Sequence, residues 1–381
     1  MKLFNKLLES GLVFVTALMA SMGGSTAFDQ SAADNRVVEI DGQTLDPAIQ
    51  SMLAADYARG SSGDDDGASA ETAEGRAIIR QQQTDIWSSR TAEPPEMEWV
   101  RDAAIETADA SIPVRIYRPD VDGVLPTIVY YHGGGWFIGG IEASDRSMRQ
   151  LAHDAKTIVI SVEYRLSPET TYPAAWNDAE AAFLWGRQKA QQFGGAPDQV
   201  CVGGDSAGGN MSIVVTMRQL DKGEPAPLCQ VLYYPAVDNR DVDTMRETYR
   251  SSVLFGQGFM LDREFTDYIL PLVFPGEDLA QAEISPLFDK ARVMPPTLIA
   301  TAGFDPLRDS GRAYAAKLIG EGNDVIYLEY SSLIHGFTQH TAVTSAAIHA
   351  ARQSAEAAGK MARDAVTARS VRSAPGRKPS N

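Results

Sequence analysis

Gly204-Asp205-Ser206-Ala207-Gly208 sits where a short apolar run, Val200-Cys201-Val202-Gly203, gives way to the helix-like stretch opened by Gly209-Asn210-Met211-Ser212. A serine on a sharp strand-to-helix turn has a strained backbone, so the residues two before and two after it must be small to avoid clashing. The turn aims the hydroxyl out of the sheet, and the helix N-terminus behind it favours developing negative charge. In a chain with 32 glycines among 381 residues, such a pattern also arises by chance, so it carries weight only with support from elsewhere.

The first support is His132-Gly133-Gly134-Gly135-Trp136, directly after the apolar run Thr127-Ile128-Val129-Tyr130-Tyr131. Three glycines leave backbone N–H groups uncovered and free to bend toward a ligand. Together with the N–H of the residue after the serine, Ala207, they can build an oxyanion hole. A Gly-rich turn after a buried strand is the plainer reading, and the interval to the serine elbow, one strand-helix-strand unit, argues for the functional one.

A serine nucleophile needs a base and an acid that orients it. The histidines are His132, His153, His335, His340 and His349. His335 follows the strand-like run Asp324 to Tyr330, where a loop at the sheet's C-terminal edge begins, whereas His153, His340 and His349 fall in helix-like segments as surface or packing residues. Asp305 follows the strand-like Thr297 to Thr301 and precedes Pro306, which makes an abrupt helix start. Asp309 is the rival acid but lies a turn into that helix. The resulting order, Ser206, Asp305, His335, is that of an α/β-hydrolase rather than of the other serine-hydrolase folds.

With these motifs in hand, the chain resembles the hormone-sensitive-lipase-like carboxylesterases of the α/β-hydrolase superfamily. The match runs from about Leu45 to about Gln339 and includes His132 to Trp136, Glu163-Tyr164-Arg165-Leu166-Ser167-Pro168-Glu169, Tyr172-Pro173-Ala174-Ala175, Gly204 to Asn210, Asp305-Pro306-Leu307-Arg308-Asp309 and His335-Gly336-Phe337. The resemblance implies a mostly parallel eight-stranded sheet with helices on both faces and a helical lid. It also implies a triad of Ser206, Asp305 and His335, with oxyanion donors at Gly134, Gly135 and Ala207. Ser167, where the family often has alanine, is a small departure.

The rest of the chain sets the surroundings. Net charge is −16 with no basic run in the body of the chain, which argues against a nucleic-acid partner. Residues 1–27 carry Lys2 and Lys6, then the apolar run Leu12 to Ala20, then small residues to Ala27. This reads as a signal peptide directing a periplasmic or secreted protein, and the apolar run is too short for a comfortable membrane span. An amphipathic lid helix in a cytoplasmic protein is the alternative.

Residues 28–96 are expected to form N-terminal lid helices around an acidic linker at 60–75. One helix should be opened by Asp46 and Pro47, and another should run from Arg76 to Ser89. Asp64, Asp65 and Asp66 lack calcium-loop spacing, so no metal is assigned to them. The catalytic domain spans 97–358, with a lid insertion at about 237–292 and an opening hairpin formed by Glu98 to Ile105 and Val114 to Tyr117. Alternating apolar and helical runs after that hairpin imply a parallel sheet. Cys201 and Cys229 are expected to be free, packed thiols, and residues 359–381 a disordered basic tail.

The function implied is hydrolysis of short- to medium-chain acyl esters through an acyl-enzyme, on a small-molecule ester and without a cofactor. Trp136 and Phe137 are expected to wall the pocket. A lactone, amide or acetylated-sugar hydrolase on the same triad is the alternative. A non-catalytic ligand-binding protein of this family would show a damaged triad, whereas His335 is intact.

Overall fold

The computed structural model describes residues 37–60 and 69–373. The signal-peptide reading of residues 1–27 and the three aspartates of the acidic linker lie outside these residues. Among the described residues no helix is long and apolar enough to cross a membrane.

A two-residue ladder, β1 (Glu39–Ile40) with β2 (Gln43–Thr44), leads into helix α1 (Pro47–Gly60). Asp46 caps that helix as expected, its Oδ1 accepting from Ala48 N at 2.9 Å and Ile49 N at 3.2 Å, which satisfies donors left orphaned at the helix start. Helix α2 (Ala73–Arg90) follows, capped by Thr72 through Gly75 N at 3.0 Å. Gly60 therefore closes one helix and Ala73 to Gly75 open the next, so the linker is shorter than the expected 60–75.

The core is an eight-stranded sheet. Its strands are β3 (Trp99–Glu106), β4 (Ser111–Arg118), β5 (Thr127–Tyr131), β6 (Ile158–Val162), β7 (Val200–Asp205), β8 (Gln230–Tyr233), β9 (Thr297–Phe304) and β10 (Val325–Ile334). They lie in the order β10-β9-β8-β7-β5-β6-β4-β3. The β3/β4 hairpin and the β4/β6 pair are antiparallel, and all other pairs are parallel.

Alternation along the strands decides which face each residue serves. Ile128 and Tyr130 of β5 pack with Met148, Leu151 and Ala155 of α3 (Ile141–Ala155) on one face. Val129 and Tyr131 face the opposite layer, with Phe183 of α4 (Ala174–Lys189) and Met211 of α5 (Ala207–Asp221). The crossover from β5 to β6 goes one way and that from β6 to β7 returns past β5. This reversal leaves a crevice at the C-terminal ends of β5 and β7, where ligands bind in open parallel sheets.

After β8 the chain makes three short helices, α6 (Val242–Thr248), α7 (Arg250–Phe255) and α8 (Arg263–Val273), before returning to β9. Helix α9 (Arg308–Gly320) joins β9 to β10, and α10 (Ser345–Ser373) ends the described chain.

Two expectations need correction. Cys201 and Cys229 form a disulfide, with an S–S distance of 2.16 Å and Cα atoms 4.7 Å apart. The cause is register: Val202 pairs with Gln230 across β7 and β8, which sets the preceding residues side by side at a separation a disulfide spans. The tail is not disordered from Gly359, because α10 continues to Ser373. A Cβ at Gly359 would lie 1.9 Å from the Ala155 carbonyl oxygen, and Arg363 Nη1 donates to that same oxygen at 2.8 Å. An alanine-rich face with Ala347, Ala350, Ala358 and Ala362 buried lets this helix press closely on its neighbours.

Candidate active site

Each residue singled out in the sequence follows the C-terminal end of a parallel strand. His132 follows β5, Ser206 follows β7, Asp305 follows β9 and His335 follows β10. Ser206 has φ 54° and ψ −116°, an uncommon conformation for a residue with a Cβ and one of the ways a site stores strain. Its N–H is tied to Tyr233 O at 2.9 Å, and its carbonyl accepts from Ala236 N at 3.1 Å and Asn210 N at 3.2 Å. The turn is therefore held from both β8 and α5.

His335 Nδ1 lies 2.8 Å from Asp305 Oδ2. The other Asp305 oxygen accepts from Leu307 N at 2.8 Å, and the residue is fully buried. Asp309 is spoken for elsewhere: its carboxylate accepts from Arg308 Nε at 2.9 Å, Ser251 N at 2.8 Å and Arg312 Nη1 at 3.2 Å. Tyr234 packs against the His335 ring with centroids 4.7 Å apart, and its hydroxyl meets Thr338 Oγ1 at 2.6 Å. Nothing in the sequence motif marked Tyr234, which reaches the ring from the far end of β8.

Ser206, Ala207, Gly134, Gly135, Trp136 and His335 line one cavity of about 110 Å³. Among the described residues the N–H groups of Gly134, Gly135 and Ala207 have no acceptor, so three backbone donors beside the serine are free for a ligand. Gly135 has φ 61°, a conformation that residues with a Cβ rarely adopt, and a Cβ there would lie 2.3 Å from Ile269 Cδ1, so the tip of that α8 side chain would have to shift.

The loop is fixed from below by a residue not assigned from sequence. Asp205 Oδ1 accepts from Gly133 N at 2.9 Å and Tyr130 Oη at 3.0 Å, and burial pushes its carboxyl above the ordinary range. Its position inside the Gly-Asp-Ser-Ala-Gly stretch was the available signal. From the side, Tyr164 Oη donates to His132 O at 2.7 Å and its ring stacks on that imidazole at 4.2 Å. Arg80 of α2 donates to Phe137 O at 2.9 Å and Ser167 O at 3.0 Å, which clamps the N-terminal helix onto the glycine loop.

Phe137 does not line the cavity. Trp136 takes φ 56°, and the turn that follows sends the Phe137 ring against Tyr268 at 6.1 Å, with the Arg80 guanidinium above it at 5.8 Å. Residues of α2 and of the segment at the start of α8 take the wall instead: Gln83, Trp87, Met260, Asp262, Phe265 and Ile269. Among the described residues no cluster of potential metal ligands occurs.

Two buried ionisable groups near the site respond to pH in opposite senses. Burial pushes the His340 imidazole down to about 4 from 6.5, with Nδ1 2.9 Å from Gly336 O and Nε2 unpartnered. Burial pushes the Asp262 carboxyl up to about 7 from 3.8, against the lowering effect of its bond from Gly258 N. Between about pH 4 and 6.5 only unfolded His340 takes up a proton, so its stabilisation, full above 6.5, is lost as pH falls. Asp262 retains a proton in the folded state that the unfolded chain releases, so its stabilisation is full below 3.8 and is lost as pH rises to about 7.

The two effects offset each other in the wild-type chain and separate in single variants. From pH 6.5 to 5.0, Asp262→Asn is expected to lose about 2 kcal/mol relative to the wild-type change, and His340→Asn to gain a similar amount. Urea unfolding at the two pH values measures both slopes. Variant slopes equal to that of wild type would contradict the burial argument.

A family model described as an α/β-hydrolase fold matches residues 128–339. The chain is 40% identical over 79% of its length to the carboxylic ester hydrolase LipN of Mycobacterium tuberculosis, covering 79% of that protein. It is 32% identical over 64% of its length to an ethyl acetate hydrolase of Pseudomonas putida, covering 76% of it. Among solved structures, an ester hydrolase from the Lake Arreo metagenome, complexed with a bipyridine phosphonate derivative, superposes with a TM-score of 0.76. It is 36% identical, over 83% of this chain and 98% of that one.

Proposed function

Because the chain belongs to the hormone-sensitive-lipase-like carboxylesterases of the α/β-hydrolase superfamily and is a carboxylic ester hydrolase, we propose that it cleaves short- to medium-chain acyl esters through an acyl-enzyme on Ser206. The observation that carries this reading is the 2.8 Å contact of His335 Nδ1 with Asp305 Oδ2, in a cavity shared with Ser206 and three free backbone donors.

In this mechanism Ser206 Oγ attacks the ester carbonyl carbon while His335 Nε2 takes its proton. Asp305 holds the imidazole in the tautomer with Nδ1 protonated and stabilises the cation that forms. The carbonyl oxygen, now carrying negative charge, accepts from the N–H groups of Gly134, Gly135 and Ala207. One such donor is typically worth about 10²–10³ in rate. The C–O bond to the alcohol breaks as His335 returns the proton to the leaving oxygen. Water, deprotonated by the same imidazole, then attacks the acyl carbon and releases the acid and Ser206.

The space and its walls support a short acyl chain. Phe265 and Ile269 face the cavity across from Gly135, and a cavity of about 110 Å³ favours a short acyl group over a long one. The relative that acts on ethyl acetate supports the same range. With p-nitrophenyl esters from acetate to palmitate, kcat/KM is expected to peak at butyrate or hexanoate and to fall at least about tenfold by palmitate. A maximum at dodecanoate or beyond would overturn the chain-length reading, and absence of turnover at every length would overturn the ester reading.

A further inference from the structure

Two polar side chains in the wall of the Ser206 cavity have no role in the chemistry above. Asp262 comes from the residue before α8 and Gln83 from α2, and both line the cavity. Asp262 is 6% exposed and Gln83 4%. Gly258 N donates to Asp262 Oδ1 at 2.8 Å, and among the described residues no donor reaches Oδ2. The Gln83 amide has no hydrogen-bond partner among the described residues. The wall around them is largely apolar, with Met260, Phe265, Ile269 and Leu270. Its other polar members include Gln339, Asn239, whose amide donates to Ile284 O at 2.6 Å, and Thr266, whose hydroxyl donates to the Asp262 carbonyl at 3.4 Å.

A polar group buried against apolar walls is unfavourable unless something in the cavity bonds to it. Resting on the ester-hydrolase reading, we propose that this cavity selects esters whose acyl or alcohol chain carries a hydroxyl group, recognised by Asp262 and Gln83. A hydroxyl can donate to a carboxyl oxygen or accept from an amide N–H, so it suits either wall group. A bare methylene leaves both unmet. An anionic chain would face the Asp262 carboxyl, which burial pushes up to about 7. Arg263 and Glu264, its charged neighbours, act on it in opposite directions, so neither sign of charge dominates.

The test compares matched esters. One pair, p-nitrophenyl hexanoate and p-nitrophenyl 6-hydroxyhexanoate, places the hydroxyl on the acyl chain. The other, butyl butanoate and 4-hydroxybutyl butanoate followed by proton release, places it on the alcohol. The wild-type protein is expected to prefer the hydroxylated member by about tenfold or more in kcat/KM in one of the pairs. That ratio is expected to fall to about one in Asp262→Leu and in Gln83→Leu, because the methylene analogue never used these groups.

The ratio is taken within each variant, so a reduced folded fraction cancels. Gln83 has no protein hydrogen bond to lose, so Gln83→Leu decides the matter if Asp262→Leu fails to fold. A ratio of one or less for both pairs in the wild type, an unchanged ratio in Gln83→Leu, or a stronger preference for 4-aminobutyl butanoate than for its hydroxyl counterpart would overturn the proposal. Loss of turnover on the plain esters as well would overturn the ester reading itself, which the chain-length series detects independently.

Discussion

Ser206→Ala is expected to lower kcat on p-nitrophenyl butyrate by about 10⁴–10⁶-fold with little change in thermal stability. The hydroxyl is the only group lost, and alanine meets the same backbone conformation, φ 54° and ψ −116°, with a Cβ of the same kind. The elbow is held by backbone bonds from Tyr233, Ala236 and Asn210, none of which involves the side chain. What remains in the variant is binding and the donors of Gly134, Gly135 and Ala207, which alone give a residual rate above water.

His335→Ala should cost a similar factor, and the double variant scarcely more, because in the proposed mechanism nucleophile and base act as one unit. Steady-state kinetics on protein purified from a hydrolase-free background measures all three. More than about 1% of wild-type kcat in Ser206→Ala, or additive losses in the double variant, would remove Ser206 from the mechanism.

The parts of the molecule that were legible in the sequence are those set by local backbone demands. Glycines two residues either side of Ser206, three glycines after a strand, and an aspartate pinned by Pro306 each follow from the space or dihedral needed at one turn. Most of the parallel strands were legible for a similar reason: buried on both faces, they read as continuous apolar runs. The runs beginning at Ile128, Ile158, Val200, Val231 and Leu298 mark β5 to β9, whereas the edge strand β10, marked by the run from Val325, is only half-buried as far as Tyr330.

What was not legible depends on which elements end up adjacent. The Cys201–Cys229 bond requires β7 and β8 to pair in one register, and apolar runs do not encode strand order. Phe137 turns away from the cavity because Trp136 adopts a left-handed conformation, a matter of one dihedral beside a triple glycine. Asp262 and Gln83 reach the cavity from segments on opposite sides of the glycine loop in sequence. The helix beyond Gly359 was hidden by a tail rich in arginine, although its small-residue face, which buries Ala362 and presses Gly359 on Ala155, lies along that same stretch.

The elbow gives the second large effect. A Cβ at Gly208 would stand 1.8 Å from the Tyr131 carbonyl oxygen and 2.5 Å from its carbon. Both are backbone atoms at the end of β5, so no rotamer change can relieve the clash, and α5 must move away from the strand. Overpacking a core side chain typically costs about 1–3 kcal/mol. A clash against a central strand's backbone belongs at the upper end or beyond, so Gly208→Ala is expected to destabilise by about 3 kcal/mol or more.

Activity should fall with it. Tyr131 leads directly into His132 and the Gly134 and Gly135 donors, while Gly208 lies two residues past Ser206, so the displacement separates donors from nucleophile. A misplacement of about 1 Å costs about 10²-fold in rate. Gly320→Ala is the control: it lies at the end of α9 with no atom within 4 Å of a built Cβ, and a change within about 1 kcal/mol, toward greater stability, is expected there. Urea unfolding and kcat on both variants test the contrast. Gly208→Ala with near-wild-type stability and rate would mean that β5 and α5 can separate freely, and the close approach would then not be what positions the nucleophile against its donors.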